Sequence, residues 1–453
     1  MTTAETRPGR RARGERPAGA AGARAWVVTA LLVAFMMVNF ADKAVFGLAA
    51  DEIRADLGLS ATRFGLANSA FFLLFSLSAV VVGVLADRLS LKWLLLVMAL
   101  LWSVAQVPPA LGGGLAVLVG TRVVLGAAEG PAFPVAQQIA FSWFPNHRRN
   151  LPGALVTLGV TFGVITAAPT LTWVIDRHGW CSALWALAVA GLVWGAAWFG
   201  LGAIGRHRED RPGADPSGDE ETGEETGAAS GRASSWAAYR RVFGSRTWIG
   251  VTLAYFTSYW GVALMLVWLP SYLKNALGYS SGAAGTLVAV PWAVGAVVLL
   301  GQAAVTGRLM RRGVPSRWAR GRVGAALLAV GALCLLGLPL VNGHAAKAVL
   351  LFLGFGFGGS FAAIAATTVA EVAPPRRRGG SLGTMNALVT TAGLIAPTVV
   401  GAMVDAQGHA GYQNAALAYA ALLLVGALAA AVLIDPQRDA ARTGAPLPER
   451  NRP

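Results

Sequence analysis

Two acids and two bases occur in stretches otherwise built of apolar residues: Asp42 and Lys43 in one run, Arg122 and Glu129 in another. A charge at the centre of a bilayer costs about 2.5–3.5 kcal/mol on insertion scales, so such residues are kept for pairing or for work. Fully ionised, the four sum to zero. An anion entering among them leaves the site one charge negative, and a proton on Asp42 or Glu129 restores neutrality. Proton and anion then favour each other's binding, and that coupling is reciprocal. The alternative is a structural ion pair or snorkelling side chains. Depth argues against snorkelling: Asp42 stands eight residues from the outer end of its run and Arg122 seven from the outer end of its own, about 12 Å and about 10 Å along a helix. On this reckoning Asp42 and Arg122 meet at a similar depth, with Glu129 two turns further inward on nearly the same face. GPAFP follows at 130–134. Pro131 and Pro134 remove backbone donors there and distort the helix. Carbonyls freed at membrane depth are tolerated where they line a cavity or are covered by protein.

The elements that carry these residues are membrane spans. Of the 453 residues, 55% are hydrophobic and 13% charged, against about 25% charged in a soluble domain. Apolar runs of bilayer-crossing length are expected at 26–50, 63–86, 92–111, 115–141, 152–175, 182–204, 247–272, 282–306, 322–341, 347–371, 380–404 and 412–434. With the N-terminus inside, 30 Lys and Arg fall in inner segments and 5 in outer loops, which places both termini in the cytoplasm. The same asymmetry accounts for the net charge of +15 without nucleic acid. Cys181 and Cys334 form no disulfide or metal pattern, and the five histidines read as loop residues. Residues 1–25 contain six arginines and no apolar stretch, so they read as a disordered cytoplasmic arm. A linker without apolar periodicity is expected at 205–246 and a cytoplasmic tail at 435–453. They bound two six-span halves, 26–204 and 247–434.

The halves repeat each other. PNHRR at 145–149 matches PPRRR at 374–378, AAPT at 167–170 matches IAPT at 395–398, and Asp176 matches Asp405, at offsets of 228 or 229. GVLADR at 83–88 matches GRLMRR at 307–312 at an offset of 224. Two similar bundles are able to rock about a site at their interface.

With its loop GVLADRLSLK at 83–92, the chain resembles the major facilitator superfamily over roughly 26–434. That resemblance implies an all-α membrane protein of twelve helices in two pseudo-symmetric bundles. It also implies a gating role for Asp87 and Arg88, with Asp87 latching the outward-open state, although the second copy lacks the acid. NFADK at 39–43, RVVLGAAEGPAFP at 122–134 and WLPSYL at 268–273 narrow the likeness to the anion:cation symporter family, carriers of sugar acids, phthalate, sialic acid and phosphate or glutamate. The family then implies protonation at Asp42 and Glu129, a carboxylate-binding cation at Lys43, a linking arginine at Arg122 and a polar ligand at Asn386. Tyr259 and Trp260 either line the pocket or pack against neighbouring helices.

This sequence departs from sugar-acid members in having Lys43 where they usually have arginine, and Phe40 and Phe75 where they have tyrosine. Lysine lacks the planar fork of arginine, and two lost hydroxyls suit a polyhydroxylated ligand poorly. A smaller or more apolar carboxylate, an aromatic one included, is the expectation. The function expected is proton-coupled uptake of an organic anion in the plasma membrane by a monomer without cofactor. A drug:proton antiporter and a non-transporting sensor stay open, although Gly159 and Gly163 are followed by Val164 rather than the proline of the antiporter motif. No nucleophile, metal or P-loop motif points to an enzyme or an ATP motor.

Overall fold

A computed structural model of the chain describes residues 18–85, 90–144, 150–205, 239–374 and 377–443. Asp87, Arg88 and most of the 205–246 linker lie outside the described residues. Among the described residues the fold is all-helical, with twelve long helices. In the first half these are α1 (Ala18–Leu48), α2 (Ala61–Leu85), α3 (Leu91–Ala110), α4 (Leu115–Phe141), α5 (Asn150–His178) and α6 (Trp180–Leu201). In the second half they are α7 (Arg246–Val267), α8 (Ser281–Arg311), α9 (Arg317–Leu340), α10 (His344–Val372), α11 (Arg378–Gln407) and α12 (His409–Leu433). Eleven are long and apolar enough to cross a membrane, and α2 makes the twelfth when taken with the short helix Ala50–Asp56 that precedes it at a sharp bend.

The helices are apolar nearly all round, which is what a lipid-facing bundle requires. Leu73, Val104, Val193, Val297 and Leu428 are exposed on the outside. Inside each bundle, small residues bring backbones together, as membrane helices do in place of hydrophobic collapse. A Cβ at Gly126 would overlap the Phe71 carbonyl, and one at Gly130 the Phe75 carbonyl, so this GxxxG pair seats α4 directly on α2. Gly159 and Gly163 do the same for α5 against Val33 and Met37 of α1.

The sequence repeat is a structural repeat. Helix α4 breaks after Glu129 and resumes at Ala132, and α10 breaks after Gly358 and resumes at Ala362. Both α5 and α11 carry an internal proline, Pro169 and Pro397.

One end of the molecule, poor in lysine and arginine, ties the bundles together. Asp405, at the end of α11, accepts from the Ala61 and Thr62 amides at 2.8 and 2.7 Å, and from Thr62 Oγ1 at 2.6 Å. It therefore caps the start of α2 in the other bundle. Its repeat partner Asp176, at the end of α5, accepts from Ser281 Oγ at the start of α8 at 2.7 Å. Lys274 pairs with Asp51 at 2.9 Å and with Glu52 at 3.3 Å. Deeper, Ser69 meets Thr398 at 2.9 Å and Ser76 meets Thr390. At the cation-rich end, Arg320 pairs with Glu371 and Lys92 donates to the Phe199 carbonyl, each within one bundle.

Candidate functional site

The four charges of α1 and α4 converge. Asp42, Lys43, Arg122 and Glu129 are 2%, 8%, 3% and 1% exposed, so Lys43 is the member closest to open space. Two features bring them together. Asp42 and Lys43 lie about two turns before the end of α1, and the Gly126–Gly130 seat presses the Arg122–Glu129 face of α4 against α2.

The pairing differs from the one depth suggested. Asp42 and Arg122 form no salt bridge; the short ion pair is Lys43 Nζ to Glu129 Oε2. Lys43 Nζ also donates to Asn39 Oδ1, one turn earlier on α1. Arg122 instead donates through Nη2 to Asn68 Oδ1 of α2 at 2.9 Å, and its guanidinium lies over Phe46 and Phe71 at 4.1 and 5.0 Å. Glu129, Arg122 and Lys43 all lie near enough to Asp42 to act on it electrostatically. Neither Asp42 oxygen accepts a hydrogen bond from a described donor, and Arg122 Nε and Nη1 donate to no described acceptor.

Aromatic rings surround the ammonium. Lys43 Nζ stands 4.6 Å from the Phe40 ring centroid and 5.7 Å from those of Phe71 and Phe75. Phe40 meets Trp292 of α8 edge-on at 6.1 Å, and Phe72 meets Tyr259 of α7 edge-on at 6.2 Å, so this aromatic layer crosses from one bundle to the other. Tyr259 thus reaches the layer through Phe72. Asn386, half-buried on α11, makes no hydrogen bond or ion pair to the charges among the described residues.

Asn39 and Asn68 were not singled out by the sequence reading. Asn39 was within reach of it, since it precedes Lys43 by one helical turn and shares its face. Asn68 was signalled only by being an amide inside an apolar helix.

The family model described as Major Facilitator Superfamily matches residues 31–369. A D-galactonate transporter of Escherichia coli is 27% identical over 419 residues, covering 91% of this chain and 96% of its own. A probable sulfoacetate transporter of Cupriavidus necator is 28% identical over 428 residues, covering 90% of this chain and 94% of its own. Among solved structures, a bacterial homolog of the human lysosomal transporter Spinster, in an inward-facing and unoccupied conformation, aligns with a TM-score of 0.75. It covers 94% of this chain and 99% of its own at 16% identity, a likeness of fold alone.

Proposed function

The chain belongs to the Major Facilitator Superfamily, and from that premise we propose that it is a proton-coupled symporter that takes up an organic carboxylate by alternating access. One observation carries the reading: the most accessible cation of the site, Lys43, is held by Glu129. A substrate carboxylate and the Glu129 carboxylate compete for the same ammonium. A proton on Glu129 or on its neighbour Asp42 cancels the negative charge that the substrate brings, and releases Lys43 to it. Arg122 stays anchored on Asn68 and keeps a fixed positive charge beside the two acids. Binding of proton and anion is thereby mutual. That the similar proteins from Escherichia coli and Cupriavidus necator are described as carriers of organic acids supports the substrate class.

The excess of lysine and arginine at one end makes that end cytoplasmic in a bacterial plasma membrane, with both termini inside. The bundles are then tied on the outer side, by Asp405, Asp176 and Lys274, and the conformation is the one closed to the outside. The gating role of Asp87 and Arg88 belongs to the opposite, inner end.

The test uses purified protein in liposomes loaded with a pH-sensitive dye. With the outside made acid and a carboxylate substrate present, uptake of the anion is expected to acidify the lumen, and this acidification should be absent in Glu129→Gln. Accumulation that moves no protons, or that is driven equally well without a pH gradient, overturns the symport reading.

A further inference from the structure

We propose that the aromatic layer around Lys43 selects an aryl monocarboxylate, with the carboxylate on the Lys43 ammonium and the ring against Phe40, Phe75 and Trp292. The inference rests on the carboxylate reading above and narrows its substrate class. Three phenyl rings stand within 6 Å of the ammonium, at 4.6, 5.7 and 5.7 Å, and leave it little room for polar neighbours beyond Glu129 and Asn39. Phe40, Phe75, Tyr259 and Trp292 pack against the cores and are all half-buried, so part of each ring stays uncovered. Aromatic pairs prefer offset or edge-on contacts at centroid distances of 4.5–7 Å, and the rings already present keep to that geometry: Phe40 to Trp292 at 6.1 Å and Phe71 to Phe75 at 5.4 Å. A further ring entering beside them meets the same surfaces.

A polyhydroxylated acid meets the opposite. Each hydroxyl taken from water needs a partner, and phenyl faces provide none. Of the polar atoms here without a described partner, Trp292 Nε1 and Asn39 Nδ2 are neutral donors, and the others belong to charged groups such as Asp42 and Arg122. The two neutral donors match one or two polar substituents on a ring, not a chain of hydroxyls. A lysine serves this ligand, because a point charge over rings asks for no bidentate geometry.

The experiment is thermal unfolding of the detergent-purified protein at pH 5.5 and pH 8 with millimolar benzoate, 4-hydroxybenzoate, sulfoacetate or D-galactonate. Benzoate and 4-hydroxybenzoate are expected to raise Tm by several degrees at pH 5.5, and sulfoacetate and D-galactonate by under one degree. The benzoate shift should vanish in Lys43→Met. In the F40Y/F75Y double variant, which adds two hydroxyls without changing ring size, the ratio of benzoate to D-galactonate affinity should fall about tenfold. Phe40→Leu gives an independent reading if the double variant expresses poorly, with weakened benzoate binding expected. Stronger stabilisation by D-galactonate or sulfoacetate than by benzoate, or no response to any of the four, overturns the aryl proposal. Proton-coupled uptake of an aliphatic acid alongside that outcome leaves the symport reading intact. Aryl binding without proton movement has the converse meaning.

Discussion

The N-terminal and C-terminal bundles share a frame and differ in what they put inside it. Counting back from the ends of α1 and α7, at Leu48 and Val267, Asp42 and Gly261 hold equivalent places. Counting to the breaks of α4 and α10, Glu129 and Gly358 do. The second bundle thus has glycine at both positions where the first has an acid. The space is not left open: the Tyr419 hydroxyl of α12 lies against both Gly261 and Gly358, and its ring stacks on Phe355 at 5.4 Å. One bundle keeps titratable groups at its helix break, and the other fills the same place with a neutral phenol. A rocking mechanism needs two matched bodies but only one set of charges, because charge buried twice costs twice. The C-terminal bundle contributes Trp292 and Tyr259 to the aromatic layer, and the first half contributes the four buried charges.

Substitutions on the two sides should therefore differ sharply. The largest effect is expected for Glu129→Gln, which leaves the Lys43 ammonium without its counter-charge and removes a proton-accepting group. Proton-driven accumulation in liposomes should drop at least 100-fold, about 2.7 kcal/mol in coupling at 1.36 kcal/mol per decade. Anion exchange without a pH gradient should survive. Retention of proton-driven accumulation in this variant would move the coupling role away from α4.

Next in size is Asp405→Ala, which removes three hydrogen bonds that hold α11 to the start of α2. Loss of an N-cap costs about 1 kcal/mol, enough to shift a two-state equilibrium about fivefold. Thiol labelling of Ala67→Cys, at a buried position of α2, should speed up accordingly, and Asp176→Ala should act in the same direction and less, since a single hydrogen bond is lost there. Unchanged labelling in both would separate this cluster from closure.

A smaller effect is expected at the tail. Asp439 accepts from the Thr247 amide at 2.8 Å and pairs with Arg438 at 2.9 Å, so it caps α7 from beyond the last span. Burial pushes its carboxyl up, but the Arg438 and Thr247 hydrogen bonds outweigh this and hold it below the usual carboxylate range. A depressed folded value means that its stabilisation is present above the unfolded pKa and is lost as pH falls through the folded one. Asp439→Asn should lower thermal stability modestly at pH 7, and the difference from the parent should shrink as pH falls below about 4.

The smallest effect belongs to the C-terminal counterpart of the acids. Tyr419 Oη has no described partner, so Tyr419→Phe removes no hydrogen bond and should leave Tm unchanged or slightly raised. A large loss of proton coupling in this variant would show that the second bundle is not the passive body that the comparison makes it.

Much of the molecule was legible from the chain. Twelve apolar runs stand out because lipid leaves a helix no polar face to hide. The repeat of PNHRR, AAPT and Asp176 at a nearly constant offset already implied two like bundles, and the structure shows what the aspartates do with it: each reaches across to the start of a helix in the opposite bundle. Membership of the four charges in one site was also legible, since isolated charges in such runs have few other fates. Their pairing was not. Helical depth put Asp42 opposite Arg122, yet Lys43 takes Glu129 and Arg122 takes Asn68. Depth along an axis says nothing of rotation about it, and rotation is set by Gly126 and Gly130 seated on the carbonyls of Phe71 and Phe75.

By itself the sequence determined which residues are too costly to bury without purpose, how many helices carry them and that the helices come in two sets, because these follow from transfer energies and spacing along one chain. Only the tertiary structure decided which cation meets which acid, that Phe40, Phe71 and Phe75 gather around Lys43, and that Tyr419 fills the place where the other bundle keeps its carboxyls. Those facts depend on the approach and rotation of helices far apart in sequence, fixed by small residues at their crossings.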